Sequence, residues 1–539
     1  MKIERRVSVT AGVLMLLLGG SITSGQSPVG EVRFENSGTA AAQAAFLRGV
    51  AQLHNFEYDD AAAAFGDAQK SDPGFAMAYW GEAITHNHPI WMEQDRDAAR
   101  KALEKLGPTP DARRAKAPTE REKAYLAAVE ILYGDGTKNE RDVRYAEAMR
   151  SLSEKYPDDP DAAAFSALAI LGTAHEGRDV PTYMRAAAVL EELTCRYPDH
   201  PGAAHYLIHS YDDPTHAVLG LRAARRYSKI APDAAHAQHM TSHIFVAMGM
   251  WDDVVTANET AVAVVNRGRE KKGLPPVSCG HYAYWLEYGY LEQGRPADAR
   301  RLLEGCRAQA AAAADHSGHG GKPDPDKSPV GSFVQMWARY LVDTEDWAGE
   351  VARWDLPIGD AAARRVTYEW ASGFGAVRRG DSAGARTALS RLSAARRELD
   401  RELAKKEGAP HPDGSWSKRA EILESELGAM IDATRGRADR ALATLRRAAD
   451  AEDAMPFEFG PPFVDKPARE LLGEMLLQQG RADDARREFE AALARAPERT
   501  ASLEGLEKAA RAAGDAEAAS RVASRLRAIR QRGEKPGTR

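Results

Sequence analysis

The chain has 539 residues and a formal net charge of −6, and 43% of its residues are hydrophobic and 28% charged. This composition is that of a folding chain, and the length predicts roughly two to four domains or one elongated array. The mild charge excludes a polybasic nucleic-acid binder and a protein with a strongly acidic tail. Aromatic residues make up only 7% of the chain, and much of the remaining apolar fraction is alanine, which favours helices over sheets.

The first 25 residues are typical of a secretory signal peptide. Lys2, Arg5 and Arg6 precede an apolar run at 7–20, and small residues follow where a signal peptidase could cut. A run of about 14 residues is short for a membrane span but has the length of a signal-peptide core. We therefore predict an exported protein, periplasmic or secreted, with no stable membrane span after signal removal. An uncleaved N-terminal anchor is the alternative.

A repeating pattern of helical hairpins follows. In residues 479–497 (QGRADDARREFEAALARAP), glycine, alanine, a large apolar residue and proline stand at fixed intervals. Most of this spacing recurs from Gly436, Gly380 and Gly294, and near the N-terminus from Tyr58. Glycine ends a first helix, alanine lets the second helix approach closely, and proline stops that helix before the next pair. The pattern predicts an all-α chain.

These residues resemble the tetratricopeptide repeat (TPR) superfamily over most of residues 42–533, with roughly eleven or twelve helix pairs. The resemblance implies an α-solenoid in which the first helix of each pair lines a concave groove. It divides the chain into an N-terminal solenoid at 42–310, a loop at 311–330 and C-terminal repeats at 331–533. Most TPR proteins bind proteins or peptides, so a protein or peptide ligand in the groove is implied as well.

Histidine is concentrated in one part of the chain. Eight of the 15 histidines fall between His175 and His243. His205 and His209 lie in PGAAHYLIHSYDDPTHA (201–217), and His239 and His243 follow them at an offset of 34 residues in PDAAHAQHMTSHIFVAMGMW (232–251). This offset is the length of the repeat, so we expect equivalent positions to stack side by side on neighbouring helices. His175 precedes His209 by the same 34 residues.

The resemblance to the repeat, with Gly249 as the reference position, implies that His236, His239 and His243 lie on the groove-lining helix. It implies the same position for the equivalent residues of the neighbouring repeats. The candidate metal ligands are His175, His205, His209, His236, His239 and His243. The further candidate groove or ligand-binding residues are Asp212, Glu176, His281, Tyr284 and Tyr288.

Imidazole suits borderline transition metals, so Zn, Cu, Ni and Fe are the candidate ions. Histidines four apart on one helix supply two adjacent ligands, and a second pair opposite completes a four-ligand site. Asp212, Asp213 or Glu176 could add a ligand, an orienting hydrogen bond or a base. A metal-free polar groove that holds a carboxylate-bearing peptide, and structural packing of the rings, are the alternatives.

The segments HYLIHSYDDP, HAQHMTSHIF and AYWGEAITHNHPIW (78–91) resemble an uncharacterised group of exported bacterial TPR proteins, from which no activity can be transferred. The sequence therefore predicts an exported binding protein whose groove holds a metal ion, or a metal-containing or peptide ligand. The alternatives are a metal-dependent enzyme using the same groove and a metal-free scaffold for protein interactions.

Three other features remain open or carry a simple expectation. Residues 455–467 (MPFEFGPPFVDKP) are expected to be extended, packed on the solenoid or folded into the groove as a lid. Cys279 and Cys306 bracket one repeat and can form a disulfide or remain two buried thiols. Cys195 is expected to be a small core residue, and His54 has no informative context.

Overall fold

The computed structural model describes residues 28–314, 328–356, 358–405 and 415–533. The segment predicted to be a signal peptide lies outside the described residues. None of the described helices combines the length and the apolar character that crossing a bilayer requires.

The described chain folds into 24 α-helices with one very short pair of strands. The first twelve helices are α1 (Ala40–His54), α2 (Tyr58–Ser71), α3 (Ala76–Ile84), α4 (Arg96–Leu106), α5 (Pro110–Arg114), α6 (Glu120–Leu132), α7 (Lys138–Lys155), α8 (Pro160–Leu171), α9 (Val180–Arg196), α10 (Pro201–Tyr211), α11 (Ala217–Ile230) and α12 (Ala235–Ala247). The last twelve are α13 (Trp251–Lys271), α14 (His281–Glu292), α15 (Pro296–Ala314), α16 (Pro329–Thr344), α17 (Ala362–Arg378), α18 (Ser382–Leu403), α19 (Ser415–Thr434), α20 (Ala438–Asp453), α21 (Ala468–Gln478), α22 (Ala482–Arg495), α23 (Thr500–Ala512) and α24 (Ala516–Gly533).

The two strands lie between α3 and α4. Strand β1 (Asn87–His88) pairs with β2 (Glu93–Gln94) in antiparallel register, with Asn87 opposite Gln94. A single 3₁₀ turn at Pro89–Trp91 joins them, and a second 3₁₀ turn at Val351–Arg353 follows α16.

Consecutive helices pack against each other as hairpins, and successive first helices also touch, as α8, α10 and α12 do. This arrangement confirms the predicted all-α solenoid, and the number of helices agrees with the predicted number of pairs. Between the two predicted halves, α15 continues to Ala314 and α16 begins at Pro329. Residues 315–327 lie outside the described part of the chain.

The array curls so that its C-terminal helices contact its middle. Arg499, at the start of α23, is 1% exposed and forms ion pairs with Glu292 at 3.0 Å, Asp343 at 2.7 Å and Glu470 at 2.9 Å. These carboxylates lie on α14, α16 and α21. Arg499 therefore fastens the start of α23 to three other helices. Its removal would leave these buried carboxylates without their partner, which is strongly destabilising.

Glu287 lies on the same helix, α14, but has no such partner. Its side chain is buried, and neither carboxyl oxygen makes a hydrogen bond within the described part of the chain. Burial raises the pKa of Glu287 well above its usual value, against the opposing attraction of Arg339. The folded protein therefore holds a proton on Glu287 at a pH where the unfolded chain has released it.

This proton makes stability depend on pH. Above about pH 4.3, the usual value for an unfolded glutamate, the unfolded chain binds fewer protons, so folding stability falls as the pH rises. We expect the wild type to lose up to about 1.4 kcal/mol per pH unit relative to Glu287→Gln, measured by urea unfolding between about pH 5 and pH 8. The exposed Glu517→Gln is the control. Parallel curves for the wild type and Glu287→Gln would show that Glu287 is ionised in the folded protein.

Candidate metal centre

Three neighbouring helices bring six histidines together. Two come from α10, three from α12, and one is the first residue of α14. The rings of His205 and His236 are 5.0 Å apart, and His239 lies 5.0 Å from His243 and 4.6 Å from His281 between ring centroids. All except His281 are buried. The six residues are His205, His209, His236, His239, His243 and His281.

The cluster divides into two groups of three. In the first triad (His205, His209 and His236), and in the second triad (His239, His243 and His281), one ligand atom of each residue lies within 4.8 Å of the others. The Nε2 atoms of His205 and His236 are 3.2 Å apart, and those of His239 and His243 are 3.1 Å apart. Two ligands of a tetrahedral ion with bonds of 2.0–2.1 Å are separated by about 3.3 Å. Both pairs therefore have the spacing of two ligands on one ion.

The second triad has its proton positions fixed from outside. The Asn258 amide nitrogen donates to the Val254 carbonyl, so Asn258 Oδ1 accepts a hydrogen bond from His239 Nδ1 at 2.7 Å. His243 Nδ1 donates to Asp212 Oδ2 at 2.5 Å. In the neutral rings both Nε2 atoms therefore carry lone pairs, and these face each other. Such a contact is repulsive unless a cation lies between the two nitrogens.

The first triad is oriented in a similar way. His205 Nδ1 donates to the main-chain carbonyl of His54 at 2.6 Å, which leaves His205 Nε2 without a proton. His236 Nε2 faces it, and the main-chain N–H of His236 donates to Glu57. His209 Nε2 is buried and makes no hydrogen bond within the described residues. A buried polar atom without a hydrogen bond destabilises the folded protein, and a ligand bound to His209 Nε2 would remove that destabilisation.

Burial also sets the charge of the rings. It lowers the pKa of His205, His209, His236 and His239 well below the usual value, and neighbouring histidines lower it further. These rings are therefore neutral near pH 7, which is the form that binds metal ions.

A third group, formed by His54, Asp161 and His200, also converges but is closed by protons. His200 Nδ1 accepts from the Ala203 N–H at 3.2 Å, so its Nε2 carries the proton and donates to Asp161 Oδ1 at 3.3 Å. His54 Nε2 donates to the same oxygen at 2.8 Å, and Tyr206 donates to His54 Nδ1 at 3.0 Å. Burial lowers the pKa of His54 to about 4. This group fixes the end of α1, whose carbonyl orients His205. No spacing pattern in the sequence indicates the group, because His54 lies 107 residues before Asp161 on a different helix.

Most of the predicted site residues meet in this cluster, but His175 and Glu176 do not. Helix α8 ends at Leu171, so both residues fall in the turn that follows it rather than on a helix beside His209. His175 Nε2 lies 3.2 Å from Asp142 Oδ2, and Glu176 is exposed. The offset of 34 residues thus gives equivalent positions for α10 and α12 but not for α8.

The remaining candidates take supporting or separate positions. Asp212, the residue after α10, is buried and orients His243. Tyr284 lies near Arg339 of α16, and the guanidinium carbon of Arg339 lies over the Tyr288 ring, 5.4 Å from its centroid. The two tyrosines therefore belong to the contact between α14 and the C-terminal helices.

Aromatic rings enclose both triads. Phe56 lies 4.3 Å from His205, and Trp285 lies 4.4 Å from His243 and 4.8 Å from His239 between ring centroids. Phe459 covers the cluster from the connection between α20 and α21, at 5.0 Å from His243 and 6.3 Å from His209. This connection, residues 455–467, is called the strap below. It is packed on the solenoid and also covers the histidines, which combines the two predicted arrangements.

The strap is held by arginines of the C-terminal half. Arg339 donates to the carbonyls of Pro462 at 3.1 Å and Asp465 at 2.8 Å, and Arg419 donates to the carbonyl of Phe463 at 2.6 Å. Gly460 has φ +98°, and a Cβ atom there would lie 2.2 Å from Trp285 Cζ2. Glycine is therefore the residue that lets the strap reach the ring covering the second triad.

The start of α14 is fixed by a covalent bond. Cys279 and Cys306 form a disulfide with an S–S distance of 2.00 Å, the first of the two alternatives left open by the sequence. Gly280, with φ +107°, connects this bond to His281. The disulfide thus positions the one exposed histidine of the cluster. Cys195 is exposed on α9, so its predicted core position is wrong; it lies on the outer face of that helix.

No protein-family model matches the sequence, and no curated protein matches it. Solved structures align with most of the chain at low identity and low TM-score. The human IFIT1 dimer with m7Gppp-AAAA has a TM-score of 0.34 at 10% identity, over 92% of this chain and 91% of that chain. The P58(IPK) TPR domain has a TM-score of 0.21 at 13% identity, over 89% and 99%. Yeast Tom70 has a TM-score of 0.31 at 13% identity, over 90% and 99%. Likeness at this level says nothing about ligand or activity.

The strap offers a direct test of its packing. We expect Gly460→Ala to destabilise the protein by about 1–2 kcal/mol from its positive φ, and by about 1–3 kcal/mol more from the clash with Trp285. Gly514→Ala is the matched control, because Gly514 has φ +78° and an added Cβ atom there would have no heavy atom of another part of the chain within 4 Å. Chemical unfolding followed by tryptophan fluorescence measures both variants. Equal destabilisation would mean that the strap does not press on Trp285.

Proposed function

We propose that the protein is an exported helical-repeat binding protein that holds a transition-metal ion on the second triad. The observation that carries this proposal is the pair of unprotonated nitrogens of His239 and His243, held 3.1 Å apart. Asn258 and Asp212 accept hydrogen bonds from the outer nitrogens, as the hydrogen-bond partners that orient metal-binding imidazoles do.

A proton is the competing occupant of this position. It would make His243 an imidazolium between Asp212 and His239. A proton bridges two nitrogens, however, whereas here a third residue, His281, also converges within 4.8 Å. His281 is exposed, so it also offers an entry route for an ion from solvent. Three converging imidazoles favour a metal ion over a proton.

The donor set indicates the class of ion. Imidazole nitrogens without thiolate or a direct carboxylate suit Zn, Cu, Ni or Fe. Three such ligands leave one position of a tetrahedral ion for water or a substrate, which is the arrangement of catalytic zinc sites. This supports a metal-dependent enzyme as the second candidate function. The strap lies across the histidines, so a peptide in the groove would not reach them, and the enclosure favours a small ligand.

Export is part of the proposal. It is supported by the charged start and apolar run within residues 1–25, and by the disulfide, since such bonds persist in oxidising compartments. The mass of the protein recovered from periplasmic and secreted fractions tests it. A full-length mass, or recovery from the cytoplasm alone, would contradict cleavage and export.

Metal content is the direct test. Elemental analysis of the tag-free chain beginning after residue 25 should give about one or more equivalents of a transition metal. His239→Ala/His243→Ala should lose the ion of the second triad, while His216→Ala, whose ring pairs with Asp213 outside the triads, should keep it. A wild type that takes up no added Zn, Cu, Ni or Fe would leave the proton as the occupant and overturn the proposal.

The orienting carboxylate gives a finer prediction. Asp212→Asn keeps a hydrogen-bond acceptor for His243 but removes the charge, so we expect metal affinity to fall by about 10- to 100-fold at unchanged stoichiometry. Competition with a chromophoric chelator measures the affinity. Asp142→Asn is the matched control, because Asp142 is also a buried aspartate paired with a histidine, His175. Equal affinities for the two variants would exclude an orienting role for Asp212.

A further inference from the structure

We infer that the first triad holds a second metal ion beside the ion of the second triad, so that the groove contains a dinuclear centre that takes a small anion. This inference rests on the proposed function and extends it to His205, His209 and His236.

The first step is the proton count within the first triad. His205 gives its Nδ1 proton to the His54 carbonyl, so its Nε2 can only accept, and His236 Nε2 lies 3.2 Å away. A proton on His236 Nε2 would satisfy that contact. It would leave His209 Nε2 buried without a hydrogen bond. One ion satisfies all three rings, whereas hydrogen bonds between the rings satisfy only two.

The second step is the contrast with the third group. His54, Asp161 and His200 also converge, but the Ala203 N–H occupies His200 Nδ1 and forces the proton to the inner nitrogen. Both imidazole nitrogens that face Asp161 carry protons, so a metal ion would have to displace them; among the described residues Asp161 Oδ2 is buried there without a hydrogen bond. In the first triad the outer partner of His205 is an acceptor, so the inner nitrogen is available.

The third step is the distance between the triads. The rings of His209 and His243 are 5.9 Å apart between centroids, and those of His236 and His239 are 6.1 Å apart. Rings from both triads are thus in contact within one enclosure. Two ions bound there would be neighbours, and two-metal sites bind ions in such pairs.

Charge and space define the ligand that the two ions would share. Six neutral imidazoles do not balance two divalent ions, and within the described part of the chain Asp212 and Glu57 are carboxylates hydrogen-bonded to the cluster. A bridging anion supplies further negative charge. Phe56, Phe459 and Trp91 line the enclosure, with Trp91 at 6.3 Å from His236 between ring centroids. The anion must therefore be small, such as hydroxide, and azide is a suitable probe.

Copper titration of the chain beginning after residue 25 tests this inference. Equilibrium dialysis against Cu(II) should give about two equivalents in the wild type. Electron paramagnetic resonance of the fully loaded protein should then show fewer spins than bound ions, because neighbouring Cu(II) ions that share a ligand couple magnetically. Azide should alter the spectrum of the doubly loaded protein.

Variants separate the two sites. His209→Ala should bind about one equivalent with a full spin count, and retention of that ion shows that the fold and the second triad are intact. His236→Gln tests the same triad from α12 if His209→Ala does not fold. His175→Gln, whose ring pairs with Asp142 outside all three groups, should keep both equivalents and is the matched control.

The outcomes distinguish this inference from the proposed function. A wild type with one equivalent that His209→Ala does not change would overturn the second ion and leave the first. Two equivalents of bound Cu(II) with a full spin count would show that the two ions do not share a bridging anion. A wild type without tightly bound copper or any other transition metal would overturn both proposals.

Discussion

The hydrogen bonds made by the outer nitrogens of the histidines determine what the centre of this protein can hold. A neutral imidazole has one proton, so a partner that accepts it at Nδ1 leaves Nε2 as a lone pair. Asn258, Asp212 and the His54 carbonyl are all acceptors, and they leave three bare nitrogens in the interior. Where the outer partner is a donor, as the Ala203 N–H is for His200, the inner nitrogen carries the proton. It then donates a hydrogen bond to Asp161 instead of offering a lone pair.

The solenoid supplies these partners from several helices at once. Helices α10 and α12 lie side by side and carry five of the histidines, while the acceptors come from α1, from α13 and from the end of α10. The disulfide at Cys279 holds the start of α14, which contributes the sixth histidine. The geometry of the cluster therefore depends on the packing of the array and not on any one segment.

The C-terminal half closes the cluster, and among the described residues the histidines of the cluster all come from the N-terminal half. Arg339 and Arg419 bind carbonyls of the strap, and Arg499 fastens α23 to α14, α16 and α21. Excluding water strengthens electrostatic interactions inside an enclosure and also makes each unpaired polar atom more costly. A buried, histidine-lined enclosure that retains bare nitrogens favours a cation.

The sequence by itself determined the helical hairpins and the equivalence of His205 and His209 with His239 and His243, because both follow from local periodicity that one repeat imposes on the next. It could not decide that α8 ends before His175, since that depends on where a helix stops within its repeat. Only the tertiary structure decided which nitrogens carry protons, that His54 supports His205 from 151 residues away, and that Phe459 covers the cluster. These are contacts between distant segments, and their chemistry depends on the direction of each side chain, which a spacing pattern does not record.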